Sequence, residues 1–111
     1  MVESVTGGSL RDAVRKLVTD PLGIVDTGFA VADIERLATN YFNSESVPVR
    51  ITDGMVVPLD AFNGSLTFAP SRILDPNSYP SGGGGMVGTA GDVLHFLETI
   101  RLGGGPILKP E

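Results

Sequence analysis

Only a few residues in this 111-residue chain have types and spacings that could do chemistry. The first group is the glycine run "SGGGGMVGTAGD", residues 81–92, where Gly83, Gly85 and Gly88 fit a G-x-G-x-x-G pattern. Bare backbone at the start of a helix can cradle a dinucleotide pyrophosphate, because no Cβ keeps the phosphate away. That chemistry needs a strand directly upstream and an acidic residue about 20 positions on, at the end of a second strand. Upstream stands "DPNSYPS", with two prolines, and no acid follows in such a place. No Lys-Ser/Thr pair follows the glycines either, so a P-loop is excluded.

A Tyr-x-Asn triplet, Tyr41-Phe42-Asn43, could assist a serine nucleophile, but three residues are a short motif and alternating rings also suit a strand. The single histidine, His95, could act as a base if a hydroxyl were aimed at it. No orienting partner is identifiable, and a lone histidine in a helix is more simply structural. One histidine and no cysteine rule out a thiolate or two-imidazole metal site. Among 13 acidic residues no pair stands out, and Asp12 and Asp92 are accounted for as helix N-terminal residues. No cofactor is expected.

The elements that would position these residues follow from periodicity. Ser9 with Asp12 has capping-box spacing, and Leu10, Val14, Leu17 and Val18 share one helical face. This predicts a helix over about residues 9–19, stopped by Pro21 and Gly23. "GIVDTGFAVAD" reads as an extended segment with a turn, and "ADIERLATNYF" could be a helical turn running into a strand. Val47, Val49 and Ile51 alternate as a strand, Asp53-Gly54 is a hairpin dipeptide, and Met55–Val57 would return until Pro58. Asn63-Gly64 is a second turn before "SLTFA". Residues 70–80, with three prolines, read as irregular connection. Thr89 and Asp92 start a helix over about 90–102, with Val93, Leu94, Leu97 and Ile100 as its stripe; Gly103-Gly104-Gly105 and Pro106 end it. The fold class is small α+β: two main helices bracketing loops and short β-hairpins.

Composition bounds the rest. Eight basic against 13 acidic residues leave a net charge of −5, which speaks against nucleic acid as a partner. No apolar run approaches the ~20 residues of a membrane span, and the N-terminus lacks the charged-then-apolar order of a signal peptide. Glycine and proline make up about a fifth of the chain, with 41% hydrophobic and 6% aromatic residues. The core is therefore aliphatic and modest.

Three stretches carry a further signal: "SLRDAVRKLVTDPLGIVDTGF" (9–29), "SGGGGMVGTAGDVLHFLETIRLGGG" (81–105) and "ILKPE" (107–111). In this order and spacing they resemble the β-lactamase family of serine hydrolases, which includes class C β-lactamases, D-alanyl-D-alanine carboxypeptidases and related esterases. Residues 40–78 match it only loosely. The family's nucleophile and base lie in Ser-x-x-Lys, where the lysine eases deprotonation of the serine. Here Ala13 stands three residues before Lys16 and Pro106 three before Lys109, so that motif is absent. The family's Tyr-x-Asn precedes the Pro-Leu-Gly helix, whereas Tyr41-Phe42-Asn43 follows Pro21-Leu22-Gly23. The third element, Lys-Thr-Gly or His-x-Gly, would come after Glu111.

The resemblance thus implies a single partial domain, 1–111: a middle section from the helical region of a serine hydrolase, with no catalytic residue and no turnover by itself. The parent would cleave a β-lactam, a D-Ala peptide or an ester through an acyl-serine. Gly83, Gly84 and Gly85 would wall the substrate cleft, touching substrate through backbone and by leaving room. A small-molecule substrate is expected only in the intact parent. The apolar helix stripes favour a homo-oligomer. Two other readings stay open: a non-enzymatic interaction module on the same scaffold, and a nucleotide-binding module using the glycines.

Overall fold

A computed structural model describes residues 1–44 and 46–108, apart from the side chain of residue 60. Lys109, Pro110 and Glu111 of the "ILKPE" passage lie outside the described residues.

The N-terminal end is helical. A short α1 (Val2–Thr6), not foreseen from the sequence, ends where Gly7 adopts a left-handed φ of 71°. Ser9 then caps α2 (Leu10–Val14): its Oγ accepts from the Asp12 backbone N–H at 3.1 Å and donates to Asp12 Oδ2 at 2.6 Å. The helix does not stop at residue 19. A π turn (Arg15–Thr19) leads into α3 (Asp20–Leu22), so helical backbone runs on through Pro21. In the π turn the Asp20 N–H bonds to Arg15 O, five residues back. Proline lacks a donor and its ring presses on the carbonyl four residues back. The widened turn just before Pro21 relieves that clash. The true stop is Gly23, left-handed at φ 66°.

The middle of the chain forms two separate antiparallel pairs. β1 (Tyr41–Asn43) pairs with β2 (Pro48–Arg50), with Phe42 opposite Val49. β3 (Val56–Leu59) pairs with β4 (Gly64–Thr67), with Val57 opposite Leu66. The expected hairpin about Asp53-Gly54 is therefore not formed. Gly54 does turn the chain, at φ 78°, but it joins one pair to the next. Asp53 is committed elsewhere, accepting from both the backbone N–H and the hydroxyl of Ser71. Pro58 lies inside β3 rather than ending it, because a two-stranded sheet has only edge strands, where a missing donor is tolerated. Asn63, at φ 51°, makes the second turn as its dipeptide suggests. A 3-10 turn spans Ile34–Arg36, and another, Pro70–Leu74, occupies part of the stretch expected to be irregular.

The chain returns to regular helix at α4 (Ala90–Arg101). Thr89 Oγ1 accepts from the Asp92 N–H at 3.1 Å, as the capping box requires. Left-handed Gly103 and Gly104 close the helix, donating to Ile100 O and Thr99 O. No helix among the described residues is long and apolar enough to cross a membrane.

Among the described residues the buried side chains are Ala13, Thr19, Ile24 and Phe29, all near the N-terminal helix, and Gly104 is buried just after α4. The stripe foreseen on α4 does not enter a core: Val93, Leu94, Leu97 and Ile100 are exposed.

Candidate functional site

The segment 24–29 is where local structure begins to build a site. Ile24 and Phe29 are buried and anchor its two ends. Between them Asp26 and Thr27 project outward to partners. Asp26 Oδ2 accepts from Arg36 Nη1 at 2.7 Å, an ion pair that holds the guanidinium firmly protonated. Thr27 Oγ1 donates to Asp92 Oδ2 at 2.8 Å, joining this segment to the start of α4. Gly28 and Val87 exchange two backbone hydrogen bonds, each 2.9 Å. The glycine turn is thus laid against the 24–29 segment. On its upstream side, Arg11 Nη2 donates to Ser78 O at 3.1 Å.

These contacts shape an open groove of about 1120 Å³. One side carries Asp26, Arg36 and Tyr41, and another carries Ser81 and Gly83 to Thr89. The four glycines play different parts. A Cβ on Gly85 would sit 2.9 Å from both the N and the O of Ser81, so the chain's own turn demands glycine there. At Gly83 and Gly84 a Cβ would meet nothing within 4 Å, and neither backbone is left-handed. Neither conformation nor internal packing explains glycine at those two positions. Both line the groove.

The other sequence candidates fall into place. Tyr41-Phe42-Asn43 is strand β1; Tyr41 faces the groove. His95 is not a groove residue among those described: its Nε2 lies 3.2 Å from Leu22 O, tying α4 to α3. Ser78 and Ser81 are groove hydroxyls, but among the described lining residues there is no lysine or histidine to activate them. Among the described residues no group of three or more His, Cys, Asp or Glu could hold a metal ion. Two features escaped sequence reasoning: the Asp26–Arg36 pair and the Thr27–Asp92 bond. The latter joins residues 65 apart, and no local pattern marks it.

Comparison with known proteins agrees on one relationship. The family model for Beta-lactamase matches residues 1–111. The esterase EstB of Burkholderia gladioli is 50% identical over 102 residues, which is 91% of this chain and 26% of that protein. The solved structure of EstCE1, a hydrolase with promiscuous acyltransferase activity, superposes with a TM-score of 0.85 at 45% identity, over 97% of this chain and 29% of that one. The chain therefore spans between a quarter and a third of the length of these relatives.

Proposed function

Because this chain belongs to the Beta-lactamase family, we propose that it is the cleft-wall section of an ester-cleaving serine hydrolase. The observation that carries the substrate class is the 50% identity to an esterase over 91% of the chain. The groove supports the role of the section. Gly83 and Gly84 present bare backbone to open space, and this leaves room for an acyl group. In the parent enzyme a serine outside this section attacks the ester carbonyl and an adjacent lysine takes its proton. The alcohol leaves, and water then releases the acid from the acyl-serine. β-Lactam and D-Ala peptide cleavage are the other outcomes the family allows.

The 111 residues alone lack nucleophile and base and give no turnover. Purified chain, assayed with p-nitrophenyl acetate and with nitrocefin, is expected to match a heat-treated blank. The full reading frame that carries this section is expected to hydrolyse the ester faster than nitrocefin. A rate above the blank from the isolated chain overturns the first statement, and preference for nitrocefin overturns the second.

Surface area supports self-association of the isolated section. Its accessible surface is 8365 Å². A compact protein of this mass exposes about 5,800 Å². The surplus of roughly 2,500 Å² is about three times what one partner buries in a standard interface. Leu17, Val93, Leu94 and Leu97 contribute exposed apolar surface to it. A dimer or larger oligomer is expected in sedimentation, and a clean monomer at micromolar concentration overturns this.

A further inference from the structure

We infer that Thr27, Gly88 and Asp92 form a clasp that sets the position of the glycine wall against the groove, making them positioning residues for substrate binding. The inference rests on the ester-cleaving role proposed above. Three contacts converge within a few ångströms. Thr27 Oγ1 donates to Asp92 Oδ2 at 2.8 Å. The two bonds between Gly28 and Val87 lie immediately beside Thr27 and Gly88. A Cβ on Gly88 would stand 2.5 Å from Thr27 Oγ1, 3.1 Å from its Cγ2 and 3.2 Å from its Cβ, so Gly88 and Thr27 are in direct contact.

The backbone of Gly88 is not left-handed, so close approach to Thr27 is the reason for glycine there. Asp92 is itself tied down, since its N–H donates to Thr89 Oγ1 at 3.1 Å. Thr27 in turn sits between buried Ile24 and Phe29. The clasp therefore transfers the rigidity of the packed helical end to a turn that has little of its own. Within that turn, Gly82, Gly83 and Gly84 have no side chains, and one backbone bond, Gly85 N–H to Ser81 O at 3.1 Å, closes it. Moving the clasp moves Gly83 and Gly84, which border the groove and where an added Cβ would meet nothing within 4 Å.

The full-length protein carrying this section tests the inference with Thr27→Val, Gly88→Ala and the conservative Thr27→Ser. Thr27→Val and Gly88→Ala are expected to raise KM for p-nitrophenyl butyrate about tenfold with kcat within about twofold, as a displaced substrate wall does. Thr27→Ser, which keeps the hydroxyl, restores KM. Amide hydrogen exchange gives a second readout: peptides covering 82–88 exchange faster in Thr27→Val, while peptides from 94–101 do not. A fall in melting temperature with KM unchanged and faster exchange along α4 means a cap that holds the helix only, and overturns the inference. If the unsubstituted protein cleaves no ester, the proposed activity fails, and exchange alone decides the clasp. Unchanged exchange at 82–88 then overturns it.

Discussion

The two ends of this molecule are held in different ways from its middle. Around the N-terminal helix, Ala13, Thr19, Ile24 and Phe29 are buried, and hydrogen bonds reach across the sequence from the Arg11 and Thr27 side chains to Ser78 and Asp92 and from the Gly28 backbone to Val87. The hairpins β1–β2 and β3–β4 have no buried residue among those described, and β4 is exposed at every position. A hairpin alone is marginal in water. The helical end therefore carries the fold, and the hairpins are surface waiting for cover. The groove is lined by Asp26 and the glycine turn, which hydrogen bonds tie to the packed end, and by Tyr41, Leu66 and Thr67 of the hairpins, so one side is firmer than the other.

The largest test of that contrast pairs two phenylalanines. Phe29 is 4% exposed and Phe62 is 82% exposed. Phe29→Ala is expected to lower stability by about 3–5 kcal/mol, and Phe62→Ala by less than about 0.5 kcal/mol. Denaturant unfolding of the two variants checks this. Similar losses would break the distinction, since they would mean that the hairpins share a core with the helices.

A smaller effect separates caps from turns. Thr89→Ala removes the acceptor for the Asp92 N–H and is expected to cost about 1 kcal/mol. Ser9→Ala at α2 is expected to do the same, with helical circular dichroism falling in both. In the middle, Ser44 bonds locally with Val47 among the described residues, and Ser44→Ala is expected to leave the helical signal unchanged.

Acid tests both regions at once. Hydrogen bonds from Ser9 hold Asp12 below its ordinary value, those from Ser71 do so for Asp53, and the Arg101 guanidinium does so for Glu98. Each folded-state pKa is depressed, so the stabilisation is present above the ordinary carboxylate range. It is lost as pH falls through the lowered folded value. All three groups are at the surface, so the effect is modest. Carboxyl chemical shifts followed with pH are expected to give low midpoints for Asp12 and Asp53. Ser71→Ala is expected to return Asp53 to the ordinary range without moving Asp12. A shift of both would mean that the hairpin and helical regions titrate as one unit.

What could be read beforehand follows the range of the interaction that decides it. Both N-caps, Ser9 onto Asp12 and Thr89 onto Asp92, act within one turn and are legible in the sequence. The π turn is not, because the same residues that give the periodic stripe also have to admit Pro21 into the last turn. The strand partners differ from the expectation at Asp53-Gly54, where a local turn signal is satisfied by a connection rather than a hairpin. The exposed stripe on α4 has the pattern of a buried face, and pattern alone does not reveal what lies opposite. The resemblance implies a cleft wall at Gly83, Gly84 and Gly85, and all three line the groove. The clasp beneath it depends on residues 65 apart, a separation that no local pattern encodes.

The smallest expected effect is the most discriminating. Gly83→Ala and Gly84→Ala add a methyl where nothing stands within 4 Å, on backbone that is not left-handed. Removing glycine restricts the unfolded chain, so each change is expected to be neutral or to stabilise by up to about 1 kcal/mol. Gly85→Ala pushes a Cβ against Ser81 backbone at 2.9 Å and is expected to destabilise instead. Thermal melts of the three variants measure the difference. Were Gly83→Ala as damaging as Gly85→Ala, the first two glycines would owe their presence to folding. A neutral result leaves the groove as the reason for glycine at 83 and 84, in a turn whose next glycine is kept by the chain itself.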